Sequence, residues 1–197
     1  MALITELSQL DLNGTYSYAD YLKWQFQERV ELLRGKIFKM SPAPSVRHQR
    51  VAANLFLAMG NRLSGNSCQF FFAPFDVRLY NRKKSQKASQ EIVTVVQPDL
   101  CVICDASKLD EQGCNGAPDL VVEILSPGNT KREMKDKFEL YEEAGVREYW
   151  LVHPLDESVQ IYFLNEAECY IGLQPATEIA KSAIFPDLNV DLVEVFR

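Results

Sequence analysis

The spacing of apolar positions changes several times along the chain, and each change marks an element. Val30-Glu31-Leu32-Leu33-Arg34-Gly35-Lys36-Ile37-Phe38-Lys39-Met40 reads as a β-hairpin. Its turn is Arg34-Gly35, with glycine where positive φ is needed. Upstream, Ser17-Tyr18-Ala19-Asp20-Tyr21-Leu22 is a helix start with Ser17 as N-cap. Beyond Pro42 and Pro44, which end the hairpin, Val51, Leu55, Ala58, Met59 and Leu63 share one face of a helix over 45–63. Strand-like runs follow at 68–72, 76–80, 92–104 and 119–125, with a plain loop at 112–118. Ser126-Pro127-Gly128-Asn129 breaks the last of these. A helix over 130–144 comes next, with Phe138, Leu140 and Tyr141 inward and Gly145 as its C′ stop. A strand at 148–152, a hairpin from 159–164 and 169–172, and an alternating tail at 190–196 close the chain. Helices interleaved with strands predict an α/β (α+β) domain with a mixed sheet. No repeat or linker divides it, so one domain over 1–197 is expected.

Two of the apolar runs carry a carboxylate where none belongs. One is Val95-Val96-Gln97-Pro98-Asp99-Leu100, the other Asp119-Leu120-Val121-Val122-Glu123-Ile124-Leu125. An ionised acid inside a sheet is costly unless a cation or donors satisfy it. On neighbouring strands, Asp99 and Glu123 would lie a few ångströms apart and could share a divalent metal such as Mg²⁺. The alternatives are a strand-end Asp99 held by backbone amides and a Glu123 in a structural ion pair. Glu123 is the harder to dismiss, because apolar residues flank it on both sides.

Two carboxylates, a metal and a lysine are the parts of a phosphodiesterase, in which a lysine near the second carboxylate orients water and balances charge on phosphorus. The usual spacing is Glu-x-Lys, but here the second residue after Glu123 is Leu125. The following helix offers Lys131, Lys135 or Lys137 instead. Lys137 lies four residues before Tyr141, on the inward face, and its long stem can reach the site.

Composition argues partly against a nucleic-acid enzyme. The net charge is −6 and the pI about 5.1, where a basic surface is expected for a polyanion partner. Locally, Arg78, Arg82, Lys83, Lys84 and Lys87 fall in a segment without acids, and Arg47, His48 and Arg50 form a second basic group. The first group is either a solvated loop or a phosphate contact. Five cysteines without a secretory signal favour free thiols. Cys101 and Cys104 form a C-x-x-C, but on one strand they face opposite sides and no second pair completes a zinc site. No stretch is long enough to cross a bilayer, and residues 1–12 lack signal-peptide features, so a cytoplasmic location is expected.

At these residues the chain resembles the putative restriction endonuclease family, once a domain of unknown function, in the PD-(D/E)XK nuclease superfamily. The likeness is carried by Gln97-Pro98-Asp99-Leu100, by Ala117-Pro118 with Asp119 to Pro127, and by Lys137 and Tyr141. It extends to Gly145-Val146-Arg147-Glu148-Tyr149-Trp150-Leu151-Val152, to Glu31-Leu32-Leu33-Arg34-Gly35-Lys36-Ile37, to Met40-Ser41-Pro42 with His48, and to Phe185-Pro186-Asp187-Leu188. The resemblance implies a restriction-endonuclease-like mixed β-sheet core flanked by helices, with one Mg²⁺ site that also accepts Mn²⁺. Asp99 matches the family's aspartate and metal ligand, Glu123 its second acid and ligand, and Lys137 a lysine displaced to the helix. Glu31 matches an N-terminal glutamate that would complete the metal's outer shell; otherwise it is a hairpin-surface charge paired with Arg34 or Lys36. Glu133 stands where the family often has an Asp. His48, near a helix start, could donate to phosphate; it reads instead as a partly exposed capping residue, outside the core site.

The function implied is a metal-dependent endonuclease, a hydrolase of DNA phosphodiester bonds. Cutting both strands would favour a homodimer. The alternatives are a catalytically inactive interaction module on the nuclease fold, which the acidic pI favours, and a hydrolase of some other phosphodiester.

Overall fold

The computed structural model describes residues 3–40, 44–63, 67–80 and 92–197. In chain order the elements are α1 (Tyr18–Tyr21), β1 (Val30–Leu33), β2 (Lys36–Lys39), α2 (Val46–Leu63), β3 (Gln69–Phe72), β4 (Val77–Leu79), β5 (Thr94–Val96) and β6 (Leu100–Ile103). Then come β7 (Leu109–Asp110), β8 (Gly113–Asn115), β9 (Leu120–Ile124), α3 (Lys131–Ala144), β10 (Glu148–His153), β11 (Ser158–Leu164), β12 (Tyr170–Gly172), β13 (Ile179–Lys181), β14 (Asn189–Asp191) and α4 (Leu192–Phe196). They form a mixed α+β fold. One sheet has the order β2-β1-β5-β4-β8-β7, a second β12-β11-β10-β9-β6-β3, and β13 pairs with β14. Parallel pairs join β9 to β10 and β4 to β8; the others are antiparallel.

Alternation along the strands sorts the core into layers. Leu100 and Val102 of β6, with Leu120, Val122 and Ile124 of β9, face the layer built with α2 and α4. Cys101, Ile103, Val121 and Tyr149 point the other way, into a layer shared with Val77 and Val96 of the first sheet and with Leu140 and Tyr141 of α3. The back of the first sheet is closed by Leu32 and Val95 against Tyr18. Asp99 and Glu123 have the parity of Cys101 and Val121, and Glu31 has that of Leu33. All three acids therefore belong to the layer between the two sheets.

The local devices are those the residues predict. Arg34 and Gly35 take φ of 51° and 81°, the paired positive values of a tight hairpin turn. Thr130 caps α3 by accepting from the Glu133 amide at 3.1 Å, and Gly145 ends it in the left-handed region at φ 83°. The run 92–104 divides at Gln97-Pro98-Asp99, where the chain passes from the first sheet to the second. Pro98 has no amide to donate to a ladder, which favours the break there.

Four expectations change. The loop at 112–118 contains β8, drawn into register with β4 at Val77↔Cys114. Gly113 permits this: a Cβ there would stand 2.2 Å from the Asp76 carbonyl oxygen. The alternating tail becomes β14 followed by α4, because Asp191 Oδ1 caps the Val193 amide at 2.9 Å and Leu192 and Val195 then bury together. Cys68 and Cys104 are joined as a disulfide instead of standing free; they flank the Gln69↔Ile103 pair and so oppose each other. Cys101, Cys114 and Cys169 are free thiols, and Cys101 faces the layer opposite to Cys104. Arg78 is buried, pairs with Asp110 at 2.6 Å and covers the Tyr18 ring, so it is no part of a basic surface. The rest of that basic group, Arg82 to Lys87, lies outside the described residues. No described helix is long and apolar enough to cross a membrane.

Candidate active site

The antiparallel register Leu100↔Val122, extended by one residue, sets Asp99 against Glu123. The Asp99 carboxylate accepts from the Ile124 amide at 2.7 Å, which binds the switch between sheets to the end of β9. Glu123 is met from α3. Lys137 Nζ donates to its Oε1 at 2.9 Å and Tyr141 Oη to the same oxygen at 2.6 Å. Lys137 and Tyr141 are four apart, so one helix face carries both. Lys131 and Lys135 point to solvent.

Glu31 enters from the other sheet. It is fully buried, lies 3.2 Å from Lys137 Nζ, and accepts from the Gln97 amide at 2.8 Å. It is therefore not a hairpin-surface charge paired with Arg34 or Lys36. Arg34 pairs with Glu139 and Glu143 on α3, and Lys36 donates to backbone carbonyls at 13 and 14. The structure thus brings Asp99, Glu123, Lys137 and Glu31 to one cavity of about 90 Å³, which Arg29 and His48 also line.

Burial raises the Glu123 carboxyl above the ordinary carboxylate range, against the pull of Lys137 and with the charges of Asp99 and Glu31 adding to the rise. Burial would lower the Lys137 ammonium, but the charges of Glu123 and Glu31 outweigh it and raise it. The two shifts pull the shared proton in opposite senses. Two donors converging on Oε1 are the arrangement of an ionised acid, so the pair is carboxylate and ammonium. Burial also pushes the Tyr141 hydroxyl far up, so it stays a donor.

His48 lines this site, although the sequence favoured a capping role over donation to phosphate. It occupies the buried stripe of α2 with Val51, Leu55 and Met59. Its Nε2 lies 3.1 Å from the Ile124 carbonyl and 3.3 Å from Asp99 Oδ2. Two acceptors require the proton on Nε2. Burial would lower its pKa, but Asp99 and the Ile124 carbonyl raise it on balance. His48 Nδ1 is buried with no partner among the described residues. The signal was present in the sequence: His48 lies three residues before Val51, on the helix's apolar face.

The donor set suits a hard, largely hydrated cation. Mg²⁺ commonly takes one or two carboxylates and keeps several waters. Asp99 and Glu123 each have a second oxygen with no partner among the described residues, and the Ile124 carbonyl is beside them. Among the described residues no three His, Cys, Asp or Glu side chains form a ready-made protein cage. A water-rich site on two carboxylates fits; an all-protein site does not.

The family model for Uma2, described as "Putative restriction endonuclease", matches residues 18–193. The chain belongs to the Uma2 family. An uncharacterized protein of Synechocystis sp. is 25% identical over 150 residues, 75% of this chain and 73% of that protein. Among solved structures, a protein of Anabaena variabilis described as a putative nuclease belonging to DUF820 superposes with a TM-score of 0.69 at 18% identity. The match covers 92% of this chain and 97% of that one, so this Uma2 chain has the same fold.

Proposed function

We propose that the chain is a metal-dependent endonuclease that hydrolyses DNA phosphodiester bonds. One observation carries the reading: Asp99, Glu123 and Lys137, drawn from two strands and a helix, meet in one cavity within the Uma2 fold. Asp99, Glu123 and the Ile124 carbonyl would hold Mg²⁺, with Mn²⁺ as substitute. A cation there supplies Lewis acidity at the phosphoryl oxygen and acidifies coordinated water. The chain's own residues do the rest. Lys137 orients the attacking water and sets positive charge beside the phosphorus-bound oxygens. Tyr141 fixes the carboxylate of Glu123, and His48 fixes that of Asp99. Glu31 holds Lys137 from the opposite side and would steady a water of the metal's outer shell.

The test is cleavage of supercoiled plasmid by wild type and Asp99→Asn with Mg²⁺, Mn²⁺ or EDTA. Metal-dependent nicking lost in the variant is expected. Equal activity in both proteins would mark a contaminant and sink the reading. No cleavage together with no effect of divalent ions on melting would leave an inactive interaction module on a nuclease fold.

A further inference from the structure

The cavity holds more negative than positive charge. Glu31, Asp99, Glu123 and Glu133 line it, and the ammonium of Lys137 is already shared between Glu31 and Glu123. A phosphodiester entering this acidic protein needs a cation not committed to a carboxylate. Arg29 is such a cation. It lines the same cavity from an exposed position, and no acid pairs with it among the described residues. Of the other described arginines, Arg34, Arg47, Arg78, Arg132, Arg147 and Arg197 each have an acidic partner, and Arg50 and Arg62 do not line the cavity.

Arg29 is held at both ends. Its carbonyl accepts from the Met40 amide at 3.0 Å, one step beyond the Val30↔Lys39 pair of the hairpin. Its Nη2 donates to Gln97 Oε1 at 2.8 Å. The orientation of that amide follows from its other partners: Gln97 Nε2 donates to Asp76 Oδ1 at 2.8 Å and to Tyr21 Oη at 3.4 Å. The oxygen must then face the guanidinium. The direct acceptor is neutral; the Asp76 carboxylate behind the same amide feels the charge of Arg29 without forming an ion pair with it, and the remaining N–H groups of the planar fork stay available. Gln97 also donates its backbone amide to Glu31, so one residue sets Arg29 relative to the acids.

We infer that Arg29 is the phosphate anchor of this site, contacting the backbone of the nucleic acid beside the cleaved bond. The inference rests on the nuclease reading above. Anchoring by a pre-positioned guanidinium explains how a protein of net charge −6 can admit a polyanion at one point.

The experiment is a fluorescence-anisotropy titration of a labelled DNA duplex in EDTA, over a series of monovalent salt concentrations. Wild type, Arg29→Ala and Lys181→Ala are compared; Lys181 is exposed on β13 and does not line the cavity. In Arg29→Ala the slope of log K against log salt should shrink by about 0.9, with weaker binding to every sequence. Its melting temperature should stay that of wild type, and Lys181→Ala should bind normally. A wild-type slope in Arg29→Ala, or an equal fall in Lys181→Ala, overturns the anchor and leaves the nuclease reading standing. No binding by wild type at any salt overturns the anchor, and the plasmid cleavage above then decides the nuclease reading by itself.

Discussion

Lys137 Nζ lies 2.9 Å from Glu123 Oε1 and 3.2 Å from Glu31 Oε1, so one buried ammonium serves two carboxylates from different sheets, Glu31 fully buried and Glu123 partly so. Removing one partner of such a group leaves uncompensated charge and typically costs about 3–5 kcal/mol. Lys137→Ala should therefore lose cleavage and also unfold at markedly lower urea. An unchanged urea midpoint would show that the ammonium does not hold the two carboxylates together.

Asp99 should separate chemistry from folding more cleanly. Its Oδ2 accepts from the Ile124 amide and faces His48 Nε2. Asparagine keeps an acceptor oxygen and loses the charge, so Asp99→Asn should cost only about 1 kcal/mol. In wild type, a divalent ion at a hundred times its Kd should stabilise the fold by about 2.7 kcal/mol. Melting curves with and without Mn²⁺ check both points; a variant that Mn²⁺ still stabilises equally would remove Asp99 from the ligand set.

Tyr141 acts through Glu123. Tyr141→Phe deletes the 2.6 Å hydrogen bond and little else, because the ring stays packed against Tyr149. A hydrogen bond to a charged group is worth about 1.5–3 kcal/mol, and loosening a ligand through its outer partner weakens metal binding about tenfold or more. Calorimetric titration with Mn²⁺ should show that loss. Affinity equal to wild type would mean that Lys137 alone orients Glu123.

Away from the site, Arg78 and Asp110 give a pH signature. Burial opposes ionisation of Asp110, but the hydrogen bond from Arg78 and those from backbone amides outweigh it and hold its pKa below 3.8. A lowered folded pKa means stability present above the unfolded value and lost as pH falls through the folded one. Asp110→Asn should thus melt lower than wild type at neutral pH, with the gap closing as pH drops below about 3.8. A gap that stays constant down the acid limb would show that the charge of Asp110 contributes nothing.

Much of the secondary structure could be read from local pattern. The Arg34-Gly35 turn, the Thr130 cap, the Gly145 stop and the inward face of Lys137 and Tyr141 all depend on residues within a turn or two of one another. The misreadings have a common cause. Gly113 to Asn115 is a strand because β4 lies beside it, and Cys68 meets Cys104 because β3 pairs with β6. Glu31 resembled a surface charge because its burial depends on a helix far along the chain.

By itself, then, the sequence determined the elements and which strand positions carry acids, since periods of two and 3.6 are properties of neighbouring residues. It also singled out Asp99, Glu123 and Lys137, because a carboxylate in an apolar run demands a partner wherever the run is buried. Only the tertiary structure decided who those partners are: His48 against Asp99, Glu31 against Lys137, Arg29 against Gln97. Such contacts follow from how two sheets and three helix faces close on one another, and no local pattern encodes that closure.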